Sequence, residues 1–383
     1  MKLKHGLHLA YCTNIHRGEN WAQTFAALQQ YTLAVRDRVC PKDPYAIGLR
    51  LSERASFELS DPATLSAFRK WLEANHCYIF TINGFPFGRF HGGPVKEQVY
   101  APDWTSTERV AYTNRLFDLL AQLVPAGVEG SVSTVPGSFK EFISTPDQLQ
   151  AIRDNVFRCV EHIARLYEQT GCKLHLGLEP EPLCLLETSC ETVDFFDRIR
   201  EEHDNDLRLF EHLGVNYDTC HLAVEFEDPH VAIQNLQQHQ IKISKLHLSS
   251  ALKVGPTAQV RAALNSFTDD VYLHQVVSRD ADQRLTRFKD LPDALAQENG
   301  EEWRIHFHIP LHSRSTELFE NTTDHLLGML DILAQNPKLC SHLEMETYTW
   351  EVMPDEMKNR SVVDQLVAEY EWTLQQLRQR QLA

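Results

Sequence analysis

Acidic residues and one histidine lie at the ends of four apolar runs in the second half of the chain. These runs read Leu176-Gly177-Leu178-Glu179, Val215-Asn216-Tyr217-Asp218, Lys245-Leu246-His247-Leu248 and Leu343-Glu344-Met345-Glu346. Carboxylates that meet in a medium of low dielectric repel one another unless they share protons or a cation. Three carboxylates and one imidazole are mostly hard donors, which suit Mn²⁺, Zn²⁺ or Mg²⁺. We therefore predict that Glu179, Asp218, His247 and Glu346 bind one divalent metal, with manganese or zinc favoured.

Two of these runs offer a second carboxylate. Alternation along a strand places Glu344 and Glu346 on the same face, and Glu346 lies nearer the end of the strand. Pro180 follows Glu179 directly and is expected to end its strand there, so Glu179 is a better ligand candidate than Glu181. Glu344, Glu181 and Glu187 are kept as candidates that contact the substrate or support the ligands.

Several histidines are further candidates for substrate contact. His221 follows Asp218 by three residues, a spacing that an ordinary turn hydrogen bond also explains. If residues 303–311 are extended, His306 and His308 share a face; a surface strand is the alternative. His8 lies within the first apolar run, where a buried core histidine explains it equally simply.

A glycine-rich segment follows the third apolar run and reads Asn83-Gly84-Phe85-Pro86-Phe87-Gly88. Its proline and aromatic residues do not match a phosphate-binding fingerprint. An aromatic loop beside a site is typical of a lid or a substrate wall, so Phe85 and Phe87 are candidate substrate contacts, with simple packing as the alternative.

Short apolar runs alternate with helical patterns along the whole chain, which is typical of repeated β-α units around a parallel sheet. The predicted strands are residues 6–12, 45–51, 77–82, 130–135, 173–179, 215–218, 243–249 and 342–347. Eight strands favour a (β/α)8 TIM barrel with elaborated loops after strands 3 and 7, the latter containing residues 303–311. No linker divides the chain, so we predict one domain over residues 1–383. In such a barrel, the strand-end residues converge at one mouth.

Helix-start signals support the same architecture. Asp61-Pro62 and Thr145-Pro146 each combine a capping side chain with a proline in the first turn. Ser361 with Asp364 resembles a capping box at the start of the last helix. A further amphipathic pattern predicts a helix near Thr107–Leu123.

The composition excludes several classes of protein. The 383 residues carry a formal charge of −16, from 37 basic and 53 acidic side chains, which opposes binding to nucleic acid or to anionic membranes. The nine cysteines form no C-x-x-C pair, as expected of reduced thiols. No apolar run is long enough for a membrane span. We therefore expect a cytoplasmic protein that neither inserts into membranes nor binds nucleic acid.

The motifs resemble known families. The order of Glu179, Asp218-Thr219-Cys220-His221, His247 and Glu346 resembles the xylose-isomerase-like barrel superfamily, which includes sugar isomerases, ketose 3-epimerases and endonuclease IV-type enzymes. Five blocks are more closely similar to the EboE family of bacterial metabolite traffic proteins. These blocks are Tyr11-Cys12-Thr13-Asn14-Ile15-His16, Asn83-Gly84-Phe85-Pro86-Phe87-Gly88, Ser131-Val132-Ser133-Thr134-Val135-Pro136, Leu178-Glu179-Pro180-Glu181-Pro182 and Glu346-Thr347-Tyr348-Thr349-Trp350.

The resemblance implies a metal bound by the four predicted ligands, with His221 close to the substrate. It also implies an association with the making or moving of secondary-metabolite precursors. In the nuclease branch further histidines and a carboxylate complete a three-zinc cluster; His221 and His308 match such positions, but His306 replaces the expected aspartate, which speaks against that cluster.

The leading functional prediction is a metal-dependent isomerase or epimerase of a small polyhydroxylated metabolite, a sugar or a cyclitol. Glu179 and Glu346 would remove and return a proton beside a carbonyl group. One alternative is a zinc-dependent phosphoesterase or endonuclease IV-like hydrolase. The other is a carrier that binds a metabolite without converting it.

Overall fold

The computed structural model describes residues 1–297, 300–354, 358 and 360–383. In chain order, the strands of this part of the chain are β1 (His8–Tyr11), β2 (Tyr45–Arg50), β3 (Cys77–Asn83), β4 (Gly130–Thr134), β5 (Leu174–Leu178), β6 (Leu213–Asp218), β7 (Lys242–Leu248), β8 (Ala251–Val254), β9 (Val276–Arg279), β10 (Leu285–Phe288), β11 (Glu302–His308), β12 (Glu320–Asn321) and β13 (His342–Met345).

Eight of these strands form the wall of a barrel. They are parallel and lie in the order β1-β13-β7-β6-β5-β4-β3-β2. A parallel bridge between Cys12 and Gly48 joins the first strand to the last in this order, so the sheet closes on itself. The fold is therefore the predicted (β/α)8 TIM barrel.

Helices surround the barrel sheet. In chain order, the helices of the described residues are α1 (Trp21–Ala27), α2 (Leu33–Val39), α3 (Glu53–Leu59), α4 (Pro62–Ala74), α5 (Thr107–Leu123), α6 (Pro146–Thr170), α7 (Ser189–Glu202), α8 (Leu207–His212), α9 (Thr219–Val224), α10 (Pro229–Gln238), α11 (Ala258–Leu264), α12 (Leu291–Leu295), α13 (Thr323–Gln335) and α14 (Val362–Gln379). Of these, α11 and α12 lie between β7 and β13 in the chain and pack away from the barrel core. Because helices lie over the sheet, most barrel strands are buried on both faces. Among the described residues, no helix combines the length and the hydropathy that a bilayer span requires.

The predicted helix starts are confirmed. The side chain of Asp61 accepts a hydrogen bond from the backbone of Thr64 at the start of α4. Thr145 and Gln148 form a reciprocal capping box at the start of α6. The Ser361 hydroxyl accepts a bond from the backbone of Asp364, which fixes the start of α14.

A second sheet is inserted between β7 and β13. It is antiparallel, with strand order β10-β9-β11-β8-β12. Apolar side chains of its strands, including Leu252, Ile305 and Phe307, form a cluster separate from the barrel core. The predicted elaboration after the seventh barrel strand is therefore confirmed, and the segment predicted at 303–311 overlaps β11, which begins one residue earlier and ends at His308. The organisation of residues 1–383 as one domain stays a prediction.

Most barrel strands end one or two residues earlier than the sequence predicts, although β3 ends one residue later and β6 ends as predicted. β5 ends at Leu178 and β13 ends at Met345, so Glu179 and Glu346 follow their strands directly, whereas the sequence predicts both within strands. The long loop predicted after the third strand is also present, and it contains a short 3₁₀ helix at Lys96–Tyr100. These loops and strand ends form the C-terminal mouth of the barrel.

Candidate metal centre

Four predicted ligands come together at the mouth. Glu179 follows β5, Asp218 ends β6, His247 lies in β7 and Glu346 follows β13. All four are buried, and one ligand atom from each lies within 4.8 Å of the others. Parallel strands in a barrel present their ends at the same rim, which is why residues so distant in the sequence meet.

The centre of this group is Nδ1 of His247. It lies 2.9 Å from Oε1 of Glu179, 3.4 Å from Oδ2 of Asp218 and 3.1 Å from Oε2 of Glu346. One ring nitrogen carries at most one hydrogen, so it cannot donate to three carboxylates at once. The cluster therefore has more negative charge than its own hydrogen bonds can compensate.

The pKa of His247 reflects this excess. Burial by itself lowers the pKa of the imidazole, but the surrounding carboxylates, Glu346 foremost, raise it well above its ordinary value. A proton on His247 and a divalent cation are alternative ways of compensating the same three carboxylates. Cation binding should then release that proton, as is usual where a ligand must be deprotonated.

Unpaired oxygen atoms show that the site fits a cation. Oδ1 of Asp218 accepts hydrogen bonds from the backbone of Cys220 and His221 and from the hydroxyl of Ser249. Its Oδ2 atom has no hydrogen-bond partner, and neither has Oε2 of Glu179, although both atoms are buried. Three carboxylates and one imidazole form a donor set that Mn²⁺, Mg²⁺ or Zn²⁺ accepts.

Glu344 supports the site from the layer beneath it. Its Oε2 atom lies 2.8 Å from Nε2 of His247 and 2.5 Å from Nζ of Lys245, which is fully buried and also donates to Ser133. Burial opposes ionisation of Glu344, but Lys245 and His247 lower its pKa to about 2. Glu344 is therefore a carboxylate that orients the His247 ring, an arrangement common around metal-binding histidines.

Two asparagines that were not predicted as site residues hold Glu346. Nδ2 of Asn14 donates to Oε1 of Glu346 at 2.7 Å, and Nδ2 of Asn83 donates to the same atom at 3.2 Å. Both asparagines follow or end barrel strands, β1 and β3. The strand-end signal that identified the four ligands could therefore have found them.

Glu181 lies beside the cluster. Its Oε1 atom accepts a hydrogen bond of 2.7 Å from the hydroxyl of Tyr100. Burial, and then the charges of Glu179, Asp218 and Glu346, raise the pKa of Glu181 well above its ordinary value. Its carboxyl group therefore holds a proton more tightly than an exposed glutamate does.

Three histidines adjoin the same cluster. His221 comes from α9, and His306 and His308 come from β11 of the inserted sheet. Nε2 of His308 lies 3.2 Å from Nε2 of His306 and 3.4 Å from Nε2 of His221, so the predicted common face of His306 and His308 is confirmed. The inserted sheet thus brings its histidines onto the barrel mouth.

A pocket opens above these groups. Residues from the barrel and from three loops line it: Asn14, Asn83, Phe85, Pro86, Phe90, Lys96, Val99, Tyr100, Glu179, Glu181, His221, Tyr272, Leu273, His306, Glu346 and Tyr348. Phe90, Tyr272 and Tyr348 form one wall, with ring centroids 5.2 to 5.3 Å apart. Charged groups at the base and aromatic rings at the side form a pocket for a small molecule with a polar and an apolar face.

Three candidates of the sequence analysis lie elsewhere. His8 is at the other end of β1, hydrogen-bonded to Tyr78. Phe87 packs against Tyr112 with ring centroids 5.0 Å apart, outside the pocket lining. Glu187 forms ion pairs with Lys140 and Arg287 and so joins the loop after β5 to the inserted sheet.

Comparisons with known proteins support the fold. No protein-family model and no curated protein matches the chain. Among solved structures, a xylose isomerase-like TIM barrel protein from Mycobacterium smegmatis, in complex with magnesium, is similar at 15% identity, with a TM-score of 0.54 and full coverage of both chains. An L-ribulose 3-epimerase is similar at 13% identity and a TM-score of 0.51, over 99% of this chain and 96% of that one. At these identities, the likeness identifies the fold as a xylose-isomerase-like TIM barrel.

Proposed function

We propose that the protein is a metal-dependent isomerase or epimerase of a small polyhydroxylated carbonyl compound, a sugar or a cyclitol. The observation that carries the proposal is the group of three carboxylates around Nδ1 of His247, two of which keep a buried oxygen without a partner. This group lies at the base of a pocket of small-molecule type. A buried acidic cluster of this kind is suited to proton transfer next to a carbonyl group.

Glu179, Asp218, His247 and Glu346 would hold the cation. A divalent ion bound there would polarise the carbonyl group and stabilise the negative charge that develops on the substrate oxygens when the neighbouring C–H bond loses its proton. The protein orients this donor set in advance: Glu344 holds the His247 ring, and Asn14 holds Glu346. Such preorganisation removes the cost of reorienting the side chains during the reaction.

Glu179 and Glu346 are the groups proposed to move the proton. Both line the pocket, and they enter it from β5 and β13, on different sides of the cluster. Oε2 of Glu179 has no partner, so this oxygen can accept a proton without breaking a hydrogen bond. Glu346 is held by two asparagines, whereas burial and the neighbouring carboxylates raise the pKa of Glu181 and favour a form that can donate a proton to a substrate oxygen.

The pocket is poorly suited to phosphate. Among its described lining residues, Lys96 is the one lysine or arginine, and its ammonium group already binds Asp290 and two backbone carbonyl groups. Phosphoryl chemistry needs positively charged groups or several metal ions around the phosphate. The pocket therefore supports an uncharged polyol substrate better than a phosphoester.

Family resemblance supports the same reaction class. One of the similar structures is an L-ribulose 3-epimerase, and another is a protein in complex with magnesium. The EboE-like blocks extend the proposal to a role in making or moving secondary-metabolite precursors in the cytoplasm. Those blocks are distributed over nearly the whole chain, which is what supports this part of the proposal.

The test is exchange of a substrate hydrogen with solvent. The protein, loaded with Mn²⁺, is incubated in D₂O with a panel of ketoses and cyclitols, and deuterium at carbon is followed by NMR. We expect exchange for at least one compound and none with Glu179→Gln. Glu187→Gln is the matched control, because Glu187 lies outside the pocket lining, and it should retain exchange.

Two results would count against the proposal. Full exchange by Glu179→Gln would show that this carboxylate does not move the proton. Binding of panel compounds by the wild-type protein without any exchange would identify a carrier instead of an enzyme.

A further inference from the structure

A buried glutamine beside the inserted sheet connects two groups of the pocket. Gln275 comes directly before β9, and its side chain is buried. Its amide group lies within hydrogen-bond distance of the Tyr100 hydroxyl and of the His306 ring, and both of these residues line the pocket. The four metal ligands do not explain this connection, because neither the glutamine nor the tyrosine is one of them.

The carbonyl group of Pro182 determines how the Gln275 amide is turned. One amide atom lies 3.2 Å from the Pro182 oxygen and 2.7 Å from the hydroxyl of Tyr100. A carbonyl oxygen only accepts hydrogen bonds, so this amide atom is the nitrogen, Nε2. The other amide atom is therefore the oxygen, Oε1, which lies 2.8 Å from Nδ1 of His306.

The amide oxygen fixes the hydrogen of His306. Because Oε1 of Gln275 only accepts, Nδ1 of His306 donates to it. Burial, followed by the nearby His221 and His308, lowers the pKa of His306 well below its ordinary value, which favours the neutral ring. A neutral ring has one N–H hydrogen, so Nε2 of His306 is an acceptor, 3.4 Å from the hydroxyl of the pocket residue Tyr348.

The amide nitrogen fixes the hydrogen of Tyr100. The hydroxyl oxygen of Tyr100 accepts from Nε2 of Gln275, so its own hydrogen is donated to Oε1 of Glu181, 2.7 Å away. Oε1 is thus an acceptor whether Glu181 is ionised or not. A proton on Glu181 is therefore carried by Oε2, and Oε2 is the atom that can pass it to a substrate oxygen.

We infer that Gln275 is a positioning residue for the proposed reaction. It orients His306 as an acceptor for a substrate hydroxyl group. It also orients Tyr100 as the donor that occupies Oε1 of Glu181 and leaves Oε2 for the substrate. The inference rests on the proposed function, because an uncharged polyol supplies the hydroxyl groups that such an acceptor binds.

Nitrogen NMR tests the orientation of His306 without any substrate. The full chain is labelled with ¹⁵N-histidine and stripped of metal with a chelator, and the His306 ring is assigned from the spectrum of His306→Gln. We expect its hydrogen on Nδ1 in the wild type and in Gln275→Glu, because a carboxylate also accepts. In Gln275→Met this acceptor is absent, and the hydrogen should move to Nε2, which lies 3.2 Å from Nε2 of His308.

Two results in these spectra overturn the inference: a hydrogen on Nε2 alone in the wild type, or an unchanged hydrogen on Nδ1 in Gln275→Met. Thermal melting followed by circular dichroism establishes that each variant is folded. If Gln275→Met is not folded, the wild-type spectrum decides the orientation of His306.

Deuterium exchange tests the connection through Tyr100. With the panel compound that the Mn²⁺-loaded wild type exchanges fastest, Gln275→Glu should lower kcat by about 10- to 100-fold with little change in KM. The glutamate cannot donate to Tyr100, whose hydroxyl then turns from Glu181 to the new carboxylate. Tyr100→Phe should cause a similar loss, and the double variant should lose no more than either single one. Gln283→Glu makes the same change at an exposed turn between β9 and β10 and should keep the wild-type kcat.

The kinetic outcomes separate this inference from the proposed function. Losses that add in the double variant, a change confined to KM, or a full kcat in either single variant overturn the role of Gln275. Failure of the proposed function appears instead as a wild-type protein that exchanges no panel compound. The role in a reaction then fails as well, whereas the nitrogen spectra still decide whether Gln275 orients His306.

Discussion

Replacement of Lys245 by methionine should destabilise the barrel strongly. Nζ of Lys245 lies 2.5 Å from Oε2 of Glu344, and neither side chain is exposed to solvent. Removal of one partner of a buried ion pair costs about 3 to 5 kcal/mol, because the remaining charge has lost its compensation. Because His247 still donates to Glu344, we expect Lys245→Met to lower the free energy of unfolding by about 3 kcal/mol, at the lower end of this range.

Urea denaturation in the presence of a chelator measures this loss without a contribution from bound metal. The matched control is Lys253→Met, which breaks the ion pair with Glu320, whose side chain is 59% accessible. This control substitution should lower the free energy of unfolding by less than about 1 kcal/mol. Addition of Glu344→Gln to Lys245→Met should restore at least half of the lost stability, because it removes the uncompensated charge. The reasoning is refuted if Lys245→Met costs no more than the control, or if the two substitutions at the buried pair are simply additive.

Three further predictions concern the groups around the site. Asn14→Ala removes a donor to Glu346 and should weaken binding of Mn²⁺ by about 10- to 100-fold, measured by competition with a chelating dye. Gly48→Ala should disrupt the same site and lower stability, measured by metal titration and thermal melting, because a Cβ atom there would lie 1.9 Å from Oε1 of Glu344. Burial raises the pKa of Glu369 from 4.5 to about 7, so the folded protein holds this proton more tightly than the unfolded chain. Urea denaturation should therefore show stability falling by about 3 kcal/mol between pH 4.5 and pH 7, and Glu369→Gln should remove most of that dependence.

The polar strand ends were predictable because they depend on local patterns. Apolar runs that alternate with amphipathic helices specify parallel strands, and parallel strands present their ends at one rim. This reasoning placed Glu179, Asp218 and Glu346 at a common mouth, as the structure does. Their roles as metal ligands and proton carriers stay predictions.

Other parts of the site depend on contacts between distant segments. Alternation alone could not separate Glu344 from Glu346, because it places both on the same face of the predicted strand 342–347. The register of β13 against β7 pairs Glu344 with His247, and the buried ammonium group of Lys245 then holds that carboxylate below the rim. No local signal contains this pairing, since it requires both strands in place.

By itself, the sequence determined the order of the eight barrel strands, the caps that start α4, α6 and α14, and the rim at which the polar strand ends meet, because each depends on neighbouring residues. Only the tertiary structure decided that His306 and His308 reach the barrel mouth. They arrive there on an antiparallel sheet inserted after β7, whose pairing involves strands up to about seventy residues apart. The tertiary structure also decided that the Nε2 atoms of His221, His306 and His308 face one another. The Nδ1 atom of each ring is hydrogen-bonded to an acceptor in a different part of the chain, at Pro180, Gln275 and Glu346 respectively. No periodicity in the sequence encodes the orientation of a buried ring.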